Sequence, residues 1–177
     1  MKKANFYFFV LWLFGMTVVL SCEKSDIEYQ NEFEKSYKTW LSFKQSSNNS
    51  YRYVVTGFSW VGSSWETAID VTNGKITQRH FKYISPKGLK GNVPPEALEW
   101  TENESEINSH ANSAAAETLT IDQIYDAARS QWLIKRKNAE TYFEAKNNGL
   151  ISSCGFVEDN CADDCFRGIN IESIVKL

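Results

Sequence analysis

Two Asn-Gly pairs, Asn73-Gly74 and Asn148-Gly149, constrain this chain more than any other feature. A two-residue type I′ hairpin needs positive φ at both central positions, which Asn and Gly adopt at least cost. Each pair lies between strand-forming runs, so each predicts an antiparallel hairpin of fixed register. Around the first, Thr72 faces Lys75, Val71 pairs with Ile76, Ile69 with Gln78, Thr67 with His80 and Trp65 with Lys82. The face with Trp65, Ile69, Val71 and Ile76 is then apolar and carries His80 inward, while Ala68 with Arg79 and Asp70 with Thr77 read as solvated. Around the second pair, Phe143 faces Cys154 and Thr141 faces Phe156.

Helical periodicity supplies the elements that cover such hairpins. Ser25 and Glu28 form a capping box that starts a helix running to about Gln45, with Tyr29, Phe33, Tyr37, Trp40 and Leu41 as its apolar stripe. Glu34 and Lys38 pair at i,i+4 toward solvent, and the polar run at 46–50 ends the helix. Thr120 and Gln123 cap a second helix with Ile121, Ile124, Tyr125, Ala128 and Trp132 as its stripe. A strand opens at Tyr51, and the last strand sets Ile169, Ile171 and Val175 on one face. Between the halves, residues 85–118 hold every proline, six glutamates and one aromatic, Trp100, and read as a flexible acidic insert with a short helix near Pro95. The expected fold is α+β in two layers, an antiparallel sheet with two helices on one face in the order α-β-β-β-α-β-β-β. Two capped helices, each followed by a hairpin with an Asn-Gly turn, hint at a duplication.

The amino terminus points to export. Lys2 and Lys3 precede an apolar run from Phe6 to Leu20, then Ser21 and Cys22. As a helix that run is ~22 Å long, short of the ~30 Å hydrocarbon core, so it reads as a signal peptide over residues 1–21. The ending VLSC resembles the lipobox of bacterial lipoproteins. That resemblance implies an acylated Cys22, a single domain over 22–177 and attachment to the cell envelope, with Glu23 resembling the default route to the outer membrane, facing the periplasm or cell surface. The alternative is an ordinary signal peptide that leaves Cys22 a plain thiol. A formal net charge of -3 offers no basic face for nucleic acid.

Trp40, Tyr51 and Tyr53, the VTNGKI turn, the TIDQIYD helix start, Gly149 and the ADD of residues 162–164 together resemble a family of secreted bacterial proteins catalogued as a domain of unknown function. The resemblance implies a fold and an exported location, and no activity.

Chemistry concentrates in CGFVEDNCADDC. The spacing of Cys154, Cys161 and Cys165, without a nearby histidine, matches neither a zinc site nor a C-x-x-C redox motif. In an exported chain a disulfide is the default, and three cysteines allow three pairings. Cys154 faces inward beside Phe143, so a bridge from it to Cys161 or to Cys165 would clip the loop onto the hairpin; the two stay open. Asp159, Asp163 and Asp164 are weak calcium candidates, because the loop lacks the central Gly and distant Glu of an EF-hand. No cofactor is called for, and no catalytic residue is assigned. Trp60 and Trp65 flank a small hairpin tip, and with Trp100 they are the candidates for a ligand or partner. The first functional reading is a lipid-anchored envelope module, bound to the membrane through its anchor, that binds an envelope protein or glycan. The others are a hydrolase using carboxylates with His80 and a calcium-stabilised accessory protein.

Overall fold

The first hairpin closes as its turn dictates. Asn73 and Gly74 take φ of 52° and 80°, and Asn148 and Gly149 take 53° and 88°. The structure, a computed structural model, describes residues 26–163 and 165–177. The leader, Cys22, the Ser25 cap and Asp164 lie outside the described residues.

Seven strands form one antiparallel sheet: β1 (Tyr51–Phe58), β2 (Ser64–Thr72), β3 (Lys75–Ser85), β4 (Glu99–Asn103), β5 (Ala139–Glu144), β6 (Ser153–Glu158) and β7 (Arg167–Lys176). Their spatial order is β4-β3-β2-β1-β7-β6-β5. Each half therefore lays its strands down in reverse chain order, and the β1–β7 pair is the seam. The fold is α+β with an open antiparallel sheet. It departs from the expected order because the insert supplies an edge strand, β4, which pairs Phe81 with Trp100 and Arg79 with Glu102.

The helices are α1 (Gln30–Ser46), α2 (Pro95–Leu98) and α3 (Ile121–Ala127), the last running into a π-type turn at Ala128–Trp132. Helix α1 begins at Gln30, later than Ser25, behind Tyr29 in the left-handed region. Its Phe33, Ser36 and Trp40 are buried, whereas Leu41 is exposed. Glu34 bonds Arg129 of the π-type turn at 3.1 Å, so it ties two elements together. The Thr120 cap of α3 forms as expected, its hydroxyl accepting from the Gln123 amide.

Bulges decide which side chains face the core. Thr72 meets Lys75 and Val71 meets Ile76, but the ladder then slips, pairing Asp70 with Gln78, Ile69 with Arg79 and Ala68 with His80. Thr77 is the extra residue, its hydroxyl 3.2 Å from that of Thr72. A one-residue slip turns every later side chain to the other face. Arg79 and Phe81 are consequently buried and His80 moves to the open face, the reverse of the regular register. A second shift, between Val54 and Val55 against β7, brings Ile174 inward and leaves Val175 exposed. The second hairpin keeps its expected register, with Thr141 opposite Phe156 and Phe143 opposite Cys154.

Core aromatics join the layers. Phe33, Trp40, Tyr51, Tyr53, Tyr125 and Phe143 share one buried cluster with Cys154 of β6 and the aliphatic residues of β2 and β7. Burying a phenol requires a partner for its hydroxyl. Tyr51 Oη accepts the Ile121 amide at 3.0 Å, filling one of the donors that the start of α3 leaves open. Tyr53 Oη donates to the Leu119 carbonyl. Tyr125 Oη shares a 2.6 Å bond with Ser36 Oγ and accepts the Ile151 amide at 3.2 Å. Trp40 Nε1 donates to Asp122 at 2.9 Å, and Lys44 closes on the same carboxylate at 2.7 Å. Burial pushes all three tyrosine hydroxyls above the ordinary phenol range, so they stay protonated.

Tyr125→Phe keeps the ring and strands the buried Ile151 amide and Ser36 hydroxyl. It should lower unfolding free energy by about 1–3 kcal/mol in urea titrations, and an unchanged midpoint would mean that water replaces the phenol.

Candidate functional site

The β1–β7 seam brings together two stretches about a hundred residues apart. At one end of the sheet the β1–β2 turn closes through Ser59 N donating to Ser63 O and Gly62 N to Ser59 O, both 2.9 Å, and projects Trp60 with 71% of its surface exposed. Phe58, the last residue of β1, is 74% exposed. The Trp65 ring folds across Gly57, where an added Cβ would come within 2.4 Å of it, and meets Tyr83 edge-on at 5.9 Å. Only glycine leaves room for that ring.

Facing them is the loop between β6 and β7. Its disulfide joins Cys161 to Cys165, with Cα atoms 6.0 Å apart, which corrects the expectation of a bridge from Cys154. Cys154 lies on the core face of β6 at 0% exposure as a free thiol, while the two loop cysteines lie outside the sheet. Burial pushes its pKa up to about 12, so it behaves as a small apolar side chain. Phe166 packs over Gly155 and approaches Tyr142 at 6.5 Å. Phe58, Trp60 and Trp65 on one side and Cys165, Phe166 and Asn170 on the other line a groove of about 730 Å³. Trp60 and Trp65 thus meet the cysteine loop, a juxtaposition with no local signal because it depends on pairing the first strand with the last.

The other candidates are placed elsewhere. Trp100 is 9% exposed, stacked between Phe81 and His110 at ring separations of 5.3 and 4.2 Å. His80 sits on the open face, Nδ1 2.9 Å from Thr101 Oγ1 and Nε2 3.4 Å from Glu99. That is one carboxylate at a partly exposed pair. Asp159 and Asp163 are exposed, and among the described residues no three His, Cys, Asp or Glu side chains converge on a point that could hold a metal ion.

A buried charge cluster went unread in the sequence. Arg79 and Glu102 are 3% and 0% exposed, joined by Nε to Oε2 at 2.9 Å and Nη2 to Oε1 at 2.8 Å. The Glu102 carboxylate also accepts the amides of Asn108 at 2.9 Å and His110 at 2.6 Å and the Ser109 hydroxyl at 3.1 Å. Arg79 Nη1 reaches the Ala116 carbonyl at 3.2 Å, and its guanidinium lies 5.0 Å from the Trp100 ring centre. The back half of the insert is thereby fastened to the sheet. Burial alone would raise the Glu102 pKa, but the Arg79 hydrogen bonds, the His110 and Asn108 amides and the Arg79 charge together lower it to about 2. The missed signal was the Thr77 bulge, without which Arg79 faces solvent.

No protein-family model matches the chain, and neither a curated protein nor a solved structure does.

Glu102→Gln leaves Arg79 buried without its counter-charge and should cost about 3–5 kcal/mol, with hydrogen exchange rising first in residues 107–118. The wild-type carboxyl titrates near 4.5 when unfolded and near 2 when folded. Its contribution is therefore complete above about pH 4.5 and lost as pH falls toward 2. An acid-unfolding curve of Glu102→Gln that keeps the wild-type slope in that window would contradict the assignment.

Proposed function

We propose that the protein is an exported lipoprotein, held in the cell envelope by an acylated Cys22, that works as an interaction module. In this reading residues 1–21 are removed and residues 22–177 form the mature chain. The outer membrane is its site, facing the periplasm or cell surface. The same reading carries the kinship with the secreted domain of unknown function and the pairing of two helices over one face of the sheet.

One observation carries the functional half of the proposal. Phe58 and Trp60 present their rings to solvent beside a groove that a disulfide-closed loop completes. Exposed apolar surface costs solubility, and a concentrated patch of it marks a contact surface. Tryptophan combines a large apolar face with one donor, which suits a boundary between water and an apolar partner. Among the described residues no helix is long and apolar enough to cross a membrane, so attachment in this reading rests on the acyl group.

Mass spectrometry of the protein isolated from its own envelope should find a mature amino terminus at an acylated Cys22, and Cys22→Ala should leave the leader uncleaved. A wild-type terminus at an unmodified Cys22, or upstream of it, would sink the anchor.

A further inference from the structure

The antiparallel order of the sheet fixes which loops share an end. The β1–β2 tip at Trp60, the carboxyl end of β3 at Ile84, the disulfide loop before β7 and the segment leading into β5 all lie at one end. The first described residues lie there too. Ile27 bridges to Ile134, the Glu28 amide donates to Leu133 O at 2.7 Å, and the Lys135 amide donates to Asp26 O at 3.2 Å. Helix α1 then runs away from this end, its last turn reaching the opposite one, where Asn49 O accepts the Gly74 amide at 2.8 Å.

That placement bears on a tether at Cys22. Four peptide units separate Cys22 from Asp26, a reach of at most ~14 Å. The Trp60 tip is offset from the β5 edge by three to four strand spacings, roughly 15–20 Å. A bilayer holding the acyl chains is therefore within reach of this whole end. The apolar side chains there are exposed in the required sense: Phe58 at 74%, Trp60 at 71%, Ile84 at 53%, Ile134 at 39%, Val61 at 37% and Phe166 at 36%. Lys87, whose stem lies over Gly62 beside the tip, can keep its ammonium at the headgroups while its methylenes cover apolar surface.

We infer that this end of the sheet docks on the bilayer surface, with Trp60 and Phe58 seated in the interface as a second, non-covalent attachment. The inference rests on the proposed acylation of Cys22 and names the partner of the aromatic end. Tryptophan concentrates at membrane interfaces because its amphipathic ring fits the headgroup level. Peripheral proteins gain stable attachment when two membrane signals act together. Docked this way, the sheet stands upright on the membrane, and the Asn73-Gly74 and Asn148-Gly149 turns point away.

The test uses the acylated protein purified from its own envelope and reconstituted into phosphatidylcholine–phosphatidylglycerol vesicles with brominated acyl chains, which quench nearby indoles. Wild type should lose emission relative to unbrominated vesicles, and Trp60→Phe should lose markedly less, the remainder coming from Trp65 in the same groove. A Val175→Trp reporter at the opposite end, placed in the Trp60→Phe background, should add emission that bromine does not quench. Acylated wild-type protein whose emission is unaffected by bromine, or a quenched reporter at position 175, would overturn the docking and leave the lipoprotein reading intact. Protein without the acyl group would remove the tether and overturn both. Trp60 is solvent-exposed, so its replacement should leave the fold in place, which circular dichroism of the variant checks.

Discussion

The pairing of β1 with β7 is the constraint on which the rest depends. Every other strand pair joins neighbours along the chain, whereas this one closes a loop of more than a hundred residues. Closing a long loop costs only slightly more than closing a medium one, because the entropy grows with the logarithm of length. What must offset it is burial across the seam. Tyr51 and Tyr53 on β1 fill that role, packing inward with the aromatics of α1 and bonding to the start of α3 and the segment before it. The seam is thus held by side chains from both halves, and neither half alone would satisfy its buried hydroxyls.

Much of this architecture was legible from the chain. The Asn-Gly turns gave both hairpins, the helical stripes gave Phe33, Trp40, Ile124 and Tyr125 as core, and the second register was right at each predicted pair. The first register failed beyond two pairs for a definite reason. A bulge carries no signature of its own when the inserted residue is a threonine among other strand formers, and period-two reasoning then assigns every later residue to the wrong face. The error reached the chemistry, since it placed His80 inward and left Arg79 in water. The insert was misread on the same account: Glu102 is an acid in an acidic stretch until a buried arginine faces it. Trp60 was legible as a candidate, but its company was not. The groove joins position 60 to position 165, and no local pattern links them.

Polar groups inside this protein mark joints between elements. The carboxylate of Glu102 gathers the insert, that of Asp122 clamps α1 to α3, and the Tyr125 hydroxyl ties α1 to the turn region before β6. Each joint is directional, whereas the apolar contacts around it tolerate sliding. A sheet with two open edges and short helices gains its fixed geometry from such bonds. At the aromatic end the turn is held by its backbone, by the Ser85 hydroxyl donating to Gly62 O at 3.1 Å and by one covalent link in the facing loop, while Phe58 and Trp60 present their rings to solvent.

The arrangement of the three late cysteines also bears on how the chain matures. In the chain-entropy picture, sulfurs four residues apart meet a few times more often than those seven or eleven apart, because shorter loops close at lower entropic cost. Chain separation therefore favours joining Cys161 to Cys165, and in the folded protein the odd thiol is buried where the thiolate that exchange needs is disfavoured. Chain separation and burial thus favour the same pairing and leave Cys154 as the odd sulfur.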